Sequence, residues 1–150
     1  ESFEAFNTSG GCATMCETYE DKVENLSYKT IRYPGHLNHM KFLFNDLHLK
    51  KNKDVLEKLF DKEVPRTKND VIIFFVKVIG LIDGVLQEKT YLRKIYGNEK
   101  YSAIQLTTAS GVCSALKMYL DGKIGNKGFI KQESLSWDDF IENKFGQVYA

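Results

Sequence analysis

The chain reads as an α+β domain, a mixed, largely antiparallel β-sheet with helices packed on it. Three observations predict this. Val71-Ile72-Ile73-Phe74-Phe75-Val76-Lys77-Val78-Ile79-Gly80-Leu81-Ile82 is β-branched and aromatic with one charged break, the pattern of a strand buried on both faces. Asp83-Gly84 follows it, the pair that two-residue type I′ hairpins prefer. A long helical segment, residues 101–121, then runs up to the stop at Gly122.

The remaining elements follow in chain order. Residues 2–6 alternate Phe3 and Ala5 with Glu4 and Phe6, which predicts a short strand. It runs into Asn7-Thr8-Ser9-Gly10-Gly11, a turn whose hydroxyls can cap a short helix over 11–19 that carries Cys12, Met15 and Cys16 on one face. Residues 26–33 alternate again as a second strand, and Pro34-Gly35 ends it. Leu37, Met40, Leu43, Phe44 and Leu47 form a helical stripe, and Val55, Leu56, Leu59 and Phe60 form a second beyond a lysine-rich turn.

After the long strand, Val85 to Tyr96 returns with more polar alternation as the second arm of the hairpin. The 101–121 helix has small residues through its middle, which suits close packing on a sheet. Gly125 and Gly128 mark turns, 129–133 reads as a last strand, and Ser136-Trp137-Asp138-Asp139 starts a helix with an N-cap and an acidic first turn. No repeat or second domain shows in the pattern, so residues 1–150 are expected to form one domain.

Composition narrows the function classes. With 43% hydrophobic and 27% charged residues the chain can build a core, which sets disordered and fibrous classes aside. Its 21 basic and 20 acidic residues leave no surplus to grip a polyphosphate backbone, so nucleic acid is not an expected partner. No apolar run reaches the roughly 18 to 20 residues of a membrane span, and the first residues lack the order of a signal peptide. Three cysteines fit reduced core thiols better than a secreted disulfide framework. A cytoplasmic setting is expected. The opening directly on a strand-like segment suggests a piece of a longer protein.

Among residues that carry chemistry, Arg32 comes first. A guanidinium on a strand end offers a planar fork for bidentate carboxylate binding, and a surface salt bridge is the competing reading. His36 is a candidate acid, base or helix-capping residue. No His, Cys and carboxylate spacing matches a metal site. Gly10-Gly11 lacks both the dinucleotide fingerprint and the P-loop lysine, so no cofactor-binding residue is assigned to this chain.

The order of segments is more informative than any one of them. Asn7-Thr8-Ser9-Gly10-Gly11, Lys29-Thr30-Ile31-Arg32-Tyr33-Pro34-Gly35-His36, the strand from Asp70 to Leu81, Ala103-Ile104-Gln105-Leu106-Thr107-Thr108-Ala109 and Gly128-Phe129-Ile130-Lys131-Gln132-Glu133 together span nearly the whole chain. In that order they resemble the C-terminal domain of the saccharopine dehydrogenase family, bacterial type. Its fold is glyceraldehyde-3-phosphate-dehydrogenase-like.

The resemblance implies a two-part oxidoreductase. An upstream Rossmann domain, absent from this chain, would bind NAD or NADP, while this domain supplies substrate contacts, a broad sheet and a homodimer interface. The implied chemistry is hydride transfer at a CH–NH carbon of a lysine-derived amino acid. Arg32 and Asn7 match substrate-binding positions of the family, with Thr8, Ser9 and Tyr33 beside them, and His36 is the catalytic candidate. One departure stands out: where fungal and animal saccharopine-forming enzymes carry an arginine and then an acid after that asparagine, this chain has Thr8 and Ser9. A smaller substrate, as in lysine 6-dehydrogenases, is therefore the alternative, and a non-catalytic dimerisation or ligand-binding module is another.

Overall fold

A computed structural model describes residues 1–8, 10–125 and 127–150, and the chain in it is a mixed α+β structure. It forms two compact units, Glu1–Arg66 and Thr67–Ala150, described in turn.

In the first unit, β1 (Glu4–Asn7) pairs antiparallel with β2 (Lys29–Arg32), in the register Glu4 to Arg32 and Asn7 to Lys29. Both strands are shorter than the alternation predicted, because only these four-residue stretches find a partner. The helix expected over 11–19 is reduced to one turn, α1 (Met15–Thr18). Thr8 does not cap it, since that hydroxyl lies 2.9 Å from the Thr30 hydroxyl. Pro34 and Gly35 form a tight turn closed by a 3.2 Å bond from the His36 N–H to the Tyr33 carbonyl. Gly35 sits at φ 92°, the left-handed conformation that a type II turn demands at this place. The two helical stripes become α2 (His36–Lys41), which continues as a wider turn over Phe42–Asp46, and α3 (Lys53–Glu63).

The second unit is organised by the hairpin of β3 (Val71–Ile82) and β4 (Val85–Tyr96), in register from Val71 to Tyr96 through Ile82 to Val85. Asp83 and Gly84 both have positive φ, 52° and 77°, as a type I′ turn requires. At the open end, Asp70 accepts hydrogen bonds from the N–H groups of Ala103 (2.7 Å) and Ile104 (3.4 Å). Ser102 and Gln105 add a reciprocal capping box, so α4 (Ala103–Leu120) is anchored where the strands end. Ala103, Thr107, Ser114 and Met118 are its buried residues.

Ser136 caps α5 (Trp137–Glu142) through the Asp139 N–H, as the sequence predicts. Asn143 then acts as a clasp. Its Nδ2 donates to Ser114 Oγ at 2.7 Å and to the Phe140 carbonyl at 3.1 Å, and its Oδ1 accepts from the N–H groups of Phe145 and Gly146. An aromatic cluster of Phe74, Tyr91, Trp137, Phe140 and Tyr149 joins the hairpin to this C-terminal segment. Tyr149 donates to the Thr107 carbonyl at 2.6 Å and its own carbonyl accepts from the Tyr91 hydroxyl. Both phenols are pushed above their ordinary range by burial.

Two expectations are corrected here. Residues 129–133 are not a strand: Gln132–Ser134 is a 3₁₀ turn, closed by Ser134 Oγ on the Lys131 carbonyl at 2.6 Å. Nor is β3 buried on both faces. Alternation puts Phe74, Val76, Arg93 and Tyr91 on the face that meets Tyr149 and Trp137, whereas Phe75, Ile79, Leu81, Leu86 and Leu92 share the opposite face and are exposed. The sheet pairing among the described residues is two separate two-stranded ladders.

Candidate functional site

The residues singled out from sequence all fall in the first unit, on or beside the short β1–β2 ladder. Side chains directly opposite in an antiparallel pair share a face. Glu4 with Arg32 and Phe6 with Thr30 therefore lie on one face, and Asn7 with Lys29 lies on the other. The ladder thus brings Arg32 together with the Pro34-Gly35-His36 turn and separates Asn7 from it.

On the Arg32 face, the turn is held from below by β1. Glu4 accepts from the Gly35 N–H at 2.9 Å and from the Leu37 N–H at 2.7 Å, so both oxygens of one carboxylate bind the start of α2. Those two main-chain bonds, Leu37's first, hold the Glu4 carboxyl below the usual carboxylate range. Two positions along, the Phe6 ring stacks on the His36 imidazole with centroids 6.0 Å apart and planes 9° apart. His36 is exposed and opens α2, with Gly35 as the preceding cap residue.

Arg32 is exposed, and its Nη1 donates to the Ile31 carbonyl at 2.8 Å. Among the described residues no ion pair engages it. Tyr33 is exposed beside it, against Phe3 at 5.6 Å between centroids. Arg32, at the end of β2, and His36, at the start of α2, are both exposed on either side of the Pro34-Gly35 turn.

At the far end of the ladder, Asn7 and Thr8 line an open pocket of about 410 Å³ with Gly10, Gly11, Cys12, Ala13, Leu26, Ser27 and Tyr28. Ser9, also expected at the substrate site, lies outside the described residues. Gly11 is needed by close approach: a Cβ there would stand 1.9 Å from the Tyr28 ring. The cysteines are not uniformly core. Cys12 and Cys113 are half-buried and Cys16 is exposed.

Sequence reasoning passed over Glu4 and Phe6, the two residues that brace the turn. Their shared parity in β1 was readable, but no local pattern announces the partners of Glu4, 31 and 33 positions away, or the stacking of Phe6 on His36. The chain matches no protein-family model and no solved structure. Among the described residues no helix is long and apolar enough to cross a membrane.

Proposed function

We propose that this chain is the substrate-binding and dimerisation part of a cytoplasmic, saccharopine-dehydrogenase-like oxidoreductase that acts on the CH–NH group of a lysine-derived amino acid. One observation carries the reading: Arg32 stands without an acidic partner among the described residues, beside a Pro-Gly turn that Glu4 fixes by two hydrogen bonds. A fork held in this way suits the carboxylate of an amino acid. His36, stacked on Phe6, is the candidate for holding or moving a proton beside that turn, with the His39 ring also near Gly35.

In this reading the nicotinamide cofactor is not assigned to the described residues of this chain. Gly10-Gly11 carries neither the dinucleotide fingerprint nor the P-loop lysine, and it leads into the single helical turn of α1. NAD or NADP belongs, in this reading, to a Rossmann domain elsewhere in the protein, and no hydride step is derived from the residues here. Their part is to grip and orient substrate.

A second reading, lysine in place of saccharopine, is favoured by the Thr8 to Thr30 contact. A hydroxyl bound to its own ladder replaces a further cationic grip, which suits a substrate with fewer carboxylates. For the homodimer, the support is the exposed stripe of Phe75, Ile79, Leu81, Leu86 and Leu92 on the open face of the hairpin.

The test is nicotinamide reduction by the intact protein, followed by absorbance with saccharopine and with lysine. Turnover with either, and a Michaelis constant raised roughly ten- to hundredfold in Arg32→Ala but only partly restored by Arg32→Lys, supports the reading; a charged hydrogen bond is worth about 1.5–3 kcal/mol. No turnover with either substrate rejects the enzyme and leaves the ligand-binding module.

A further inference from the structure

Among the described residues β3 and β4 pair only with each other, so each strand presents one edge without a ladder partner. The two edges differ. β4 carries Glu88, Lys89, Arg93 and Lys94, the kind of charges that keep an edge from pairing further. β3 carries Lys77 alone, and Val78-Ile79-Gly80-Leu81-Ile82 beyond it has neither charge nor proline and is exposed. An uncharged, exposed edge of this kind is a template for another strand. Hairpin geometry fixes which of its groups point outward. The two-residue turn closes on Ile82 and Val85, so that pair exchanges hydrogen bonds, and alternate pairs down the ladder do the same. The N–H and C=O groups of Val78, Gly80 and Ile82 are therefore turned to β4. Those of Lys77, Ile79 and Leu81 point away from it, and no loop main-chain bond among the described residues reaches them.

We propose that this edge is where a second copy of the chain docks: the β3 strands of two copies pair antiparallel about a twofold axis at Gly80, joining the hairpins into one four-stranded sheet, β4-β3-β3-β4. Charge selects the register. Outward groups must stand opposite outward groups, so the register can shift only in steps that keep Lys77, Ile79 and Leu81 facing residues of the same set. With Gly80 at the axis, Lys77 of each copy faces Asp83 of the other, and Asp83 makes no ion pair among the described residues. The neighbouring registers set Lys77 against Leu81 or carry it past the turn.

The twofold axis makes every contact twice. Ile79 exchanges hydrogen bonds with Leu81 of the second copy, and Val78 lies against Ile82 of the second copy as a pair that exchanges none. Ile79 and Leu81 also belong to the exposed apolar stripe, so the stripe of one hairpin runs into that of the other. A formal charge of +1 on the chain does not oppose self-association. This inference rests on the dimerisation part of the proposed function and says where the copies meet; it does not depend on the substrate or the chemistry.

The test uses the full chain, its association followed by sedimentation, with amide exchange read by NMR well below and well above the dimer midpoint. The amides of Ile79 and Leu81 should exchange about tenfold more slowly or better in the dimer, whereas Val78, Gly80 and Ile82, already turned to β4, should change much less. In a dimer mixed from isotope-labelled and unlabelled chains, filtered nuclear Overhauser effects should connect the Val78 Hα to the Ile82 Hα of the second copy, and Gly80 to Gly80. A dimer in which the Ile79 and Leu81 amides stay unprotected, or whose Hα contacts follow another register, overturns this pairing alone and leaves the dimerisation reading standing. A monomer at high micromolar concentration overturns both.

Discussion

The Glu4 carboxylate accepts the Gly35 N–H at 2.9 Å, tying the first strand of the chain to a turn far along the sequence. Its other oxygen takes the Leu37 N–H, so one side chain fixes both sides of His36. A pH dependence follows. The folded state holds Glu4 below its ordinary value of 4.5, so the stabilisation is fully present above about pH 4.5 and is lost as pH falls through the lower folded value. Amide exchange at Gly35 and Leu37 should accelerate across that acid window, beyond the intrinsic pH trend, in the wild type. In Glu4→Gln the two amides should be poorly protected already at pH 7 and show no such step. Equal protection in the two proteins would remove Glu4 as the brace.

The hairpin turn gives a second prediction. Gly84 lies at φ 77°, where an L-residue with a Cβ is strained, although the surrounding space is open. Gly84→Ala should therefore destabilise the second unit through backbone conformation alone, by about 1–2 kcal/mol. Asp83→Asn, which tolerates the same region, should be close to neutral. Urea unfolding followed at the single tryptophan, Trp137, reads both.

Gly146 makes the contrasting case, in which space and not φ forbids a side chain. A Cβ there would meet the Phe140 carbonyl oxygen at 1.6 Å, and that carbonyl is main chain within the Asn143 and Ser114 clasp. Gly146→Ala should cost about 1–3 kcal/mol and lower Tm by several degrees. A variant as stable as the wild type would mean that the C-terminal turn does not pack on α5 as described.

These sites also show how much the sequence could tell. The hairpin was legible because its β-branched run and its Asp-Gly turn are both local signals, and α4 was legible as a helical segment stopped at Gly122, while its capping box came only with the structure. Residues 129–133 misled because two apolar residues cannot distinguish a strand from a turn, and a strand also needs a partner. The same limit hid the exposure of β3: its composition is apolar on both faces, and only the position of the Tyr149 and Trp137 rings decides which face is covered. At the candidate site, Arg32 and His36 were visible as residue types beside a Pro-Gly stop. Their bracing by Glu4 and Phe6, and the placement of Asn7 on the other face, arise only from strand register.

The open face of the hairpin carries the last prediction. Leu81 pairs with Leu86 at its tip, and both are about 70% exposed, at 72% and 70%. Ile79, Phe75 and Leu92 extend the stripe toward the base on the same face, interrupted by the Lys77 to Glu88 ion pair at 2.8 Å. Large apolar side chains in a row on an uncovered strand pair favour burial against a like surface at roughly 25 cal/mol per Å² of apolar area, whereas an exposed ion pair adds about 0–1 kcal/mol. If a second copy of the chain covers this stripe, the wild type should sediment as a dimer at micromolar concentration. Leu81→Lys with Leu86→Lys should then shift it to a monomer with the hairpin circular dichroism retained, because a pair of like charges opposes self-association without disturbing the Asp83-Gly84 turn. A wild type that stays monomeric at high micromolar concentration, or a dimer indifferent to both lysines, would take the interface away from this face.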